Sequence, residues 1–182
     1  MRLVMRLLST QIEHLAVLTF FLLISIPKAQ GQSSVHAVLK AVDQRRAAPE
    51  LILEDSSGKP LTLKQYTGKV VLLDFWATWC HGCQEEIPWF SEFQREYGTK
   101  GLSVIGVSLD EDGWKVVKPF IKTASVPYKI VLGNHATARR YSIVGMPDTF
   151  LIDRNGKIAA KYVGLVDKTD LEKNIQEMLA ER

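Results

Sequence analysis

The sequence predicts an α/β domain built on a mixed central sheet with helices on both faces. Val70–Phe75 and Leu102–Val107 are continuous apolar runs of strand length, the pattern of strands buried on both faces. Helically spaced apolar residues lie between and after them. Late in the chain, two strand-like runs flank Asn155-Gly156, a strong hairpin-turn signal. The alternation requires parallel crossovers, and the hairpin requires an antiparallel edge.

Pro49 opens a period-two segment: Leu51 and Leu53, a turn at Ser56-Ser57-Gly58-Lys59, then Leu61 and Leu63. It reads as an N-terminal hairpin. The Val70–Phe75 run holds one acid, Asp74. Glu85 to Tyr97 reads as a helix, with Ile87, Phe90, Phe93 and Tyr97 on one face and a kink at Pro88. Leu102–Val107 is the second central strand. Trp114–Ala124 reads as a helix interrupted by Pro119, Tyr128–Leu132 as a short strand, and Ala136–Tyr141 as one or two helical turns. Thr149–Asp153 and Ile158–Val163 are the strands of the late hairpin. Thr169 through Leu179 closes the chain as a helix, with Thr169 and Glu172 as a capping box. No internal repeat is visible.

A chain of 182 residues, 46% hydrophobic and 24% charged, has the composition of one globular domain. That excludes disordered and collagen-like classes. Two cysteines exclude a disulfide-dense scaffold. Arg2 and Arg6 precede the apolar run Leu15–Ile26. As a helix that run reaches about 18 Å, short of the roughly 30 Å of a membrane core. It fits the h-region of a signal peptide cleaved after Gly31, or failing cleavage a short membrane tether. Either reading exports the folded part, to the bacterial periplasm or the outer face of the cytoplasmic membrane. Three of the 23 basic and one of the 20 acidic residues lie in 1–31, so the net +3 falls to +1 without that segment. No basic patch interleaved with aromatics remains, and no nucleic-acid partner is expected. The polar stretch 32–48 reads as a linker with a short helix around Val38–Arg45.

Cys80-His81-Gly82-Cys83 follows a buried strand and sits at a helix start. Unpaired N–H groups and the positive helix dipole there stabilise a thiolate. The two-residue spacing lets the sulfurs cycle between dithiol and disulfide. A protonated His81 adds positive charge beside the first sulfur. Cys80 is the expected nucleophile and Cys83 the resolving thiol. Three other uses of the pair stay open. A purely structural disulfide closing so short a loop contributes only about 2 kcal/mol. Zinc needs four ligands, and beyond His81 the chain after residue 31 offers only His36 and His135, at no zinc-knuckle spacing. Copper can be held by two thiolates and a histidine, with His135 as the third ligand.

The run Phe75-Trp76-Ala77-Thr78-Trp79-Cys80-His81-Gly82-Cys83 resembles the active-site motif of the thioredoxin superfamily, and more closely that of exported TlpA/ResA-type thiol–disulfide oxidoreductases. The resemblance covers about Pro49 to Leu179 and implies a thioredoxin-like domain over 49–182. Pro88 matches the proline of the family's active-site helix. Gly145-Met146-Pro147-Asp148-Thr149-Phe150 matches the loop with the family's cis-proline, here Pro147. Met146 then falls where the family's backbone pairs with the substrate chain. Trp114–Leu132 falls where TlpA-type proteins carry an extra helix and strand. Trp79 is expected as a surface platform beside Cys80, and Trp76 as wall or core. Peroxiredoxins, another enzyme class on this fold, place a threonine three residues before their cysteine; Thr78 is two before Cys80.

Asp74, six residues before Cys80, occupies the position of the buried thioredoxin aspartate, and Glu86, three after Cys83, that of the ResA-type glutamate. Either can act as general base for the buried Cys83 thiol, because burial raises a carboxyl's pKa toward neutrality. The expected activity is an extracytoplasmic thiol–disulfide oxidoreductase working without a cofactor or metal. Its expected partners are protein thiols and disulfides and a membrane or periplasmic electron donor. His81 and Gly82 between the cysteines tune the potential. The family likeness favours a reductant, with a role like that in cytochrome c maturation. The alternative is a copper metallochaperone using Cys80, Cys83 and His135.

Overall fold

The computed structural model describes residues 33–181. The leader read at 1–31 lies outside the described residues, and no helix among those described is long and apolar enough to cross a membrane. In chain order the strands are β1 (Arg46–Ala47), β2 (Ile52–Glu54), β3 (Pro60–Thr62), β4 (Val70–Trp76), β5 (Leu102–Ser108), β6 (Lys129–Leu132), β7 (Asp148–Ile152) and β8 (Lys157–Val163). The helices are α1 (His81–Tyr97), α2 (Trp114–Thr123), α3 (His135–Arg140) and α4 (Lys168–Ala180).

Six strands form one sheet in the order β1-β8-β7-β4-β5-β6. β4, β5 and β6 are parallel, while β7, β8 and β1 are added antiparallel. Every residue of β4 and β5 is buried, as their unbroken apolar runs require. On one face Val70, Leu72 and Val104 pack against Phe90 and Phe93 of α1 and Leu171, Ile175 and Met178 of α4. On the other, Val71, Leu73, Phe75 and Val107 meet Leu51 and Leu61 of the β2–β3 hairpin and Tyr141 after α3. The mixed sheet with helices on both faces is therefore the observed fold. Gly156 takes φ 75° in the β7–β8 turn, a conformation glycine adopts at no steric cost.

Four expectations need correction. First, 33–48 is not a free linker. Val35 N–H donates to the Leu165 carbonyl at 2.7 Å, Lys40 N–H to the Ala159 carbonyl at 2.8 Å, and β1 pairs with β8. Arg45 is buried and bridges Asp153 and Glu181 at 3.3 and 2.6 Å. The segment is held by backbone pairing and one buried cation, which hydrophobic periodicity does not register. Its only helical turn is the short 3-10 segment Val42–Gln44. Second, α1 begins at His81, four residues before the apolar spacing becomes visible, because its first turn is polar. Third, α2 runs unbroken through Pro119. Fourth, α4 is capped by Asp167, whose side chain accepts from Asp170 N–H at 2.9 Å, and not by Thr169.

Candidate active site

The β4–α1 connection places the cysteine pair at the end of the central strand. Cys80 is the N-cap of α1 and Cys83 lies in its first turn. They are joined in a disulfide. Cys80 Sγ accepts from the backbone N–H of Cys83 at 3.2 Å, so a helix-terminal donor points at that sulfur and would stabilise a thiolate there. Cys80 is 6% exposed and Cys83 fully buried. Cys80 is thus the more exposed of the two sulfurs.

Pro147 closes the site from the facing loop, and the Met146–Pro147 bond is cis. A β-carbon on Gly82 would lie 3.3 Å from Pro147 Cδ. Glycine between the cysteines thus admits the close approach of that loop. Trp79 stands out at 70% exposure. A groove of about 810 Å³ runs between Trp79 and Met146, with Asn134 and His135 also along it. Trp76 is buried in the cluster that surrounds the cysteines.

Asp74 comes from β4 and Glu86 from α1, three residues after Cys83 on the same helix. Both are buried. Asp74 Oδ1 accepts from the Thr149 hydroxyl at 3.3 Å, across the β4–β7 pairing. Glu86 Oε1 accepts from Val166 N–H at 2.7 Å. The second oxygen of each carboxyl has no hydrogen-bond partner. Burial pushes Asp74 up to about 7. Burial and then the charge of Asp74 push Glu86 up to about 9. Of the two, Asp74 is raised less and is the carboxyl nearer to accepting a proton at neutral pH.

His81 is largely exposed and faces Glu85 Oε1 at 3.4 Å. Exposed pairs of this kind are worth little, and Glu85 offsets whatever charge His81 carries. His81→Gln is therefore expected to move the Cys80 titration upward by only about half a pH unit. Measuring alkylation against pH checks this; a midpoint displaced by more than about one pH unit would give His81 a larger part.

The structure adds residues that the sequence reading passed over. Tyr128 packs against both the core under α1 and α4 and the cluster around the cysteines, and burial with the charges of Asp74 and Glu86 holds its phenol well above its ordinary value. Its position in a short strand-like run carried no signal. Asp148, next to Pro147, is buried and pairs with Lys161 at 2.9 Å across β7 and β8. Strand pairing, visible only in the fold, brings these two together.

A cysteine pair capping a helix at the end of a central parallel strand, with a cis-proline loop packed on it, defines a thioredoxin-like thiol–disulfide oxidoreductase. The chain belongs to the AhpC/TSA family, whose model matches residues 45–161. It is 34% identical over 134 residues to the thiol-disulfide oxidoreductase ResA of Bacillus cereus, covering 73% of this chain and 77% of that protein. It is 32% identical over 136 residues to the thioredoxin-like protein YneN of Bacillus subtilis, covering 74% and 79%. Among solved structures, a putative thiol:disulfide interchange protein DsbE from Chlorobium tepidum superposes with TM-score 0.71 at 36% identity, over 77% of this chain and 100% of that one.

Proposed function

We propose that this protein is an extracytoplasmic reductant of protein disulfides. Cys80 thiolate attacks a substrate disulfide, and one substrate sulfur leaves as thiolate with the electron pair. Asp74 takes the proton of Cys83, and Glu86, the second carboxyl of the site, acts on Asp74 through its charge once it ionises. The Cys83 thiolate then attacks Cys80 Sγ, releases the second substrate thiol and leaves the Cys80–Cys83 disulfide. Two electrons have passed to the substrate, and a membrane or periplasmic donor returns them. Trp79 and Met146 line the groove through which the substrate chain approaches, Pro147 follows Met146 and packs on Gly82, and His81 and Gly82 tune the potential.

The observation that carries this reading is the full burial of Cys83 on a helix whose next turn holds the buried Glu86, with a second buried carboxyl, Asp74, acting on Glu86; the proton affinity of both lies near or above neutrality. A resolving thiol needs that base; a merely structural bridge does not. The names ResA and DsbE support the activity class. Export rests on the basic and apolar start of the chain, which divides it into a leader at 1–31 and the domain that follows. A role in delivering reductant for cytochrome c maturation is the finer form of the proposal.

Equilibration with glutathione tests the direction. A reductant is expected near or below about −270 mV, and a value near about −120 mV would make the protein an oxidant. The copper reading requires His135 to join Cys80 and Cys83. Among the described residues no three His, Cys, Asp or Glu side chains gather as metal ligands, so that reading gains no support.

A further inference from the structure

Asp110 lies just beyond β5 and is 7% exposed. Its carboxylate accepts from Thr78 N–H at 3.0 Å, from the Thr78 hydroxyl at 2.6 Å and from the Ser108 hydroxyl at 2.8 Å. The Ser108 hydroxyl in turn accepts from Asp110 N–H at 3.2 Å. On the other side of Thr78, its carbonyl accepts from Gln84 Nε2 at 2.6 Å. Both peptide groups of Thr78 are thus gripped, one from β5 and one from α1. Thr78 lies inside the turn closed by Cys80 N–H on the Ala77 carbonyl at 3.1 Å. That turn delivers Trp79 to the surface and Cys80 to the N-cap.

We propose that Asp110 is a positioning residue for Cys80: it clamps the Ala77–Cys80 turn so that the sulfur stays on the α1 N-terminus once the disulfide is reduced. This rests on Cys80 being the attacking thiolate. In the oxidised protein the Cys83 bridge itself holds Cys80 in place. Reduction removes that link, and the hydrogen bonds of the turn must then keep the sulfur within reach of the Cys83 N–H. A buried carboxylate with three donors suits the task, since charge-assisted bonds are about twice as strong as neutral ones. An apolar or loosely held turn would let the sulfur leave the helix dipole, whose effect fades within one turn.

The test measures the rate of iodoacetamide alkylation of the reduced protein against pH, with peptide mapping. Asp110→Ala is expected to move the Cys80 profile to higher pH, with alkylation about tenfold slower below the wild-type midpoint. Asp110→Asn keeps an acceptor oxygen for Thr78 and is expected to recover most of that loss. A lowered melting temperature with an unchanged profile would overturn the proposal, leaving Asp110 a merely structural residue. A displacement of both variants to lower pH would also overturn it, because charge rather than geometry would then be acting. If Asp110→Ala does not fold, Thr78→Val removes the hydroxyl donor alone. It is expected to move the profile upward, and an unmoved profile would overturn the clamp. Wild-type labelling at Cys83 in place of Cys80 would instead overturn the attacking-thiolate reading on which the clamp rests.

Discussion

Cys80→Ser is expected to abolish disulfide exchange, while Cys83→Ser is expected to keep the first attack and accumulate mixed disulfide. The two sulfurs differ in access and in partners. Cys80 Sγ sits on the α1 N-terminus and accepts the Cys83 N–H. Cys83 is fully buried and can reach only the sulfur beside it. A serine hydroxyl at position 80 has no comparable nucleophilicity, because the thiolate is the reacting species. A serine at 83 leaves attack intact but removes resolution, so each encounter ends in a covalent complex. Insulin reduction measures turnover, and intact mass after mixing with a disulfide peptide measures trapping. A Cys83→Ser variant with full turnover would contradict the two-step exchange.

Asp74→Asn and Glu86→Gln are expected to slow resolution at pH 7 while making the fold more stable in alkaline solution. General-base contributions run to about 100-fold or more, so the double variant is expected to resolve about 100-fold more slowly. Asp74→Asn is expected to carry most of that loss and Glu86→Gln less, because Glu86 is raised further and holds its own proton at pH 7. The stability effect follows from the direction in which burial moves both groups. Both carboxyls bind protons more tightly folded than unfolded, with Asp74 raised to about 7 and Glu86 to about 9. The native state therefore holds more protons than the unfolded chain between about pH 4 and pH 9. Stability from these groups is full below their unfolded values and is lost as pH rises through their folded values. The amides keep the oxygens that accept from Thr149 and Val166 but carry no charge. At pH 9 each variant is expected to be more stable than the wild type, and at pH 5 the two are expected to converge, because the amide carries no charge that burial would penalise. Urea melts from pH 5 to pH 9 check this. Parallel wild-type and variant profiles would show that the buried acids do not titrate as their surroundings require.

Much of the fold was legible because its signals are local. The apolar runs of β4 and β5 need burial on both faces, and they have it. Asn155-Gly156 marked the β7–β8 turn from two residues. The cysteine pair stood out by its spacing at a helix start, Asp74 as an acid inside an apolar run and Glu86 through the family resemblance, and the structure buries both acids. What escaped was non-local. Arg45 reaches Asp153 and Glu181, which lie far along the chain. β1 pairs with β8 through backbone groups that any sequence carries. Asp110 follows an apolar strand and reads as an ordinary loop acid until the parallel β4–β5 register brings it to Thr78. The reading of Thr169 as a cap failed by two residues because Asp167 supplies a competing acceptor.

Limited alkylation of the fully reduced protein at pH 7, followed by peptide mapping, tests the division of labour between the two cysteines most directly. Substoichiometric iodoacetamide is expected to label Cys80 and leave Cys83 untouched, because the Cys80 sulfur is capped by the α1 N-terminus and is the more exposed of the two, while Cys83 is fully buried. Labelling of Cys83 at an equal or greater rate would contradict the assignment of Cys80 as nucleophile and Cys83 as resolving thiol.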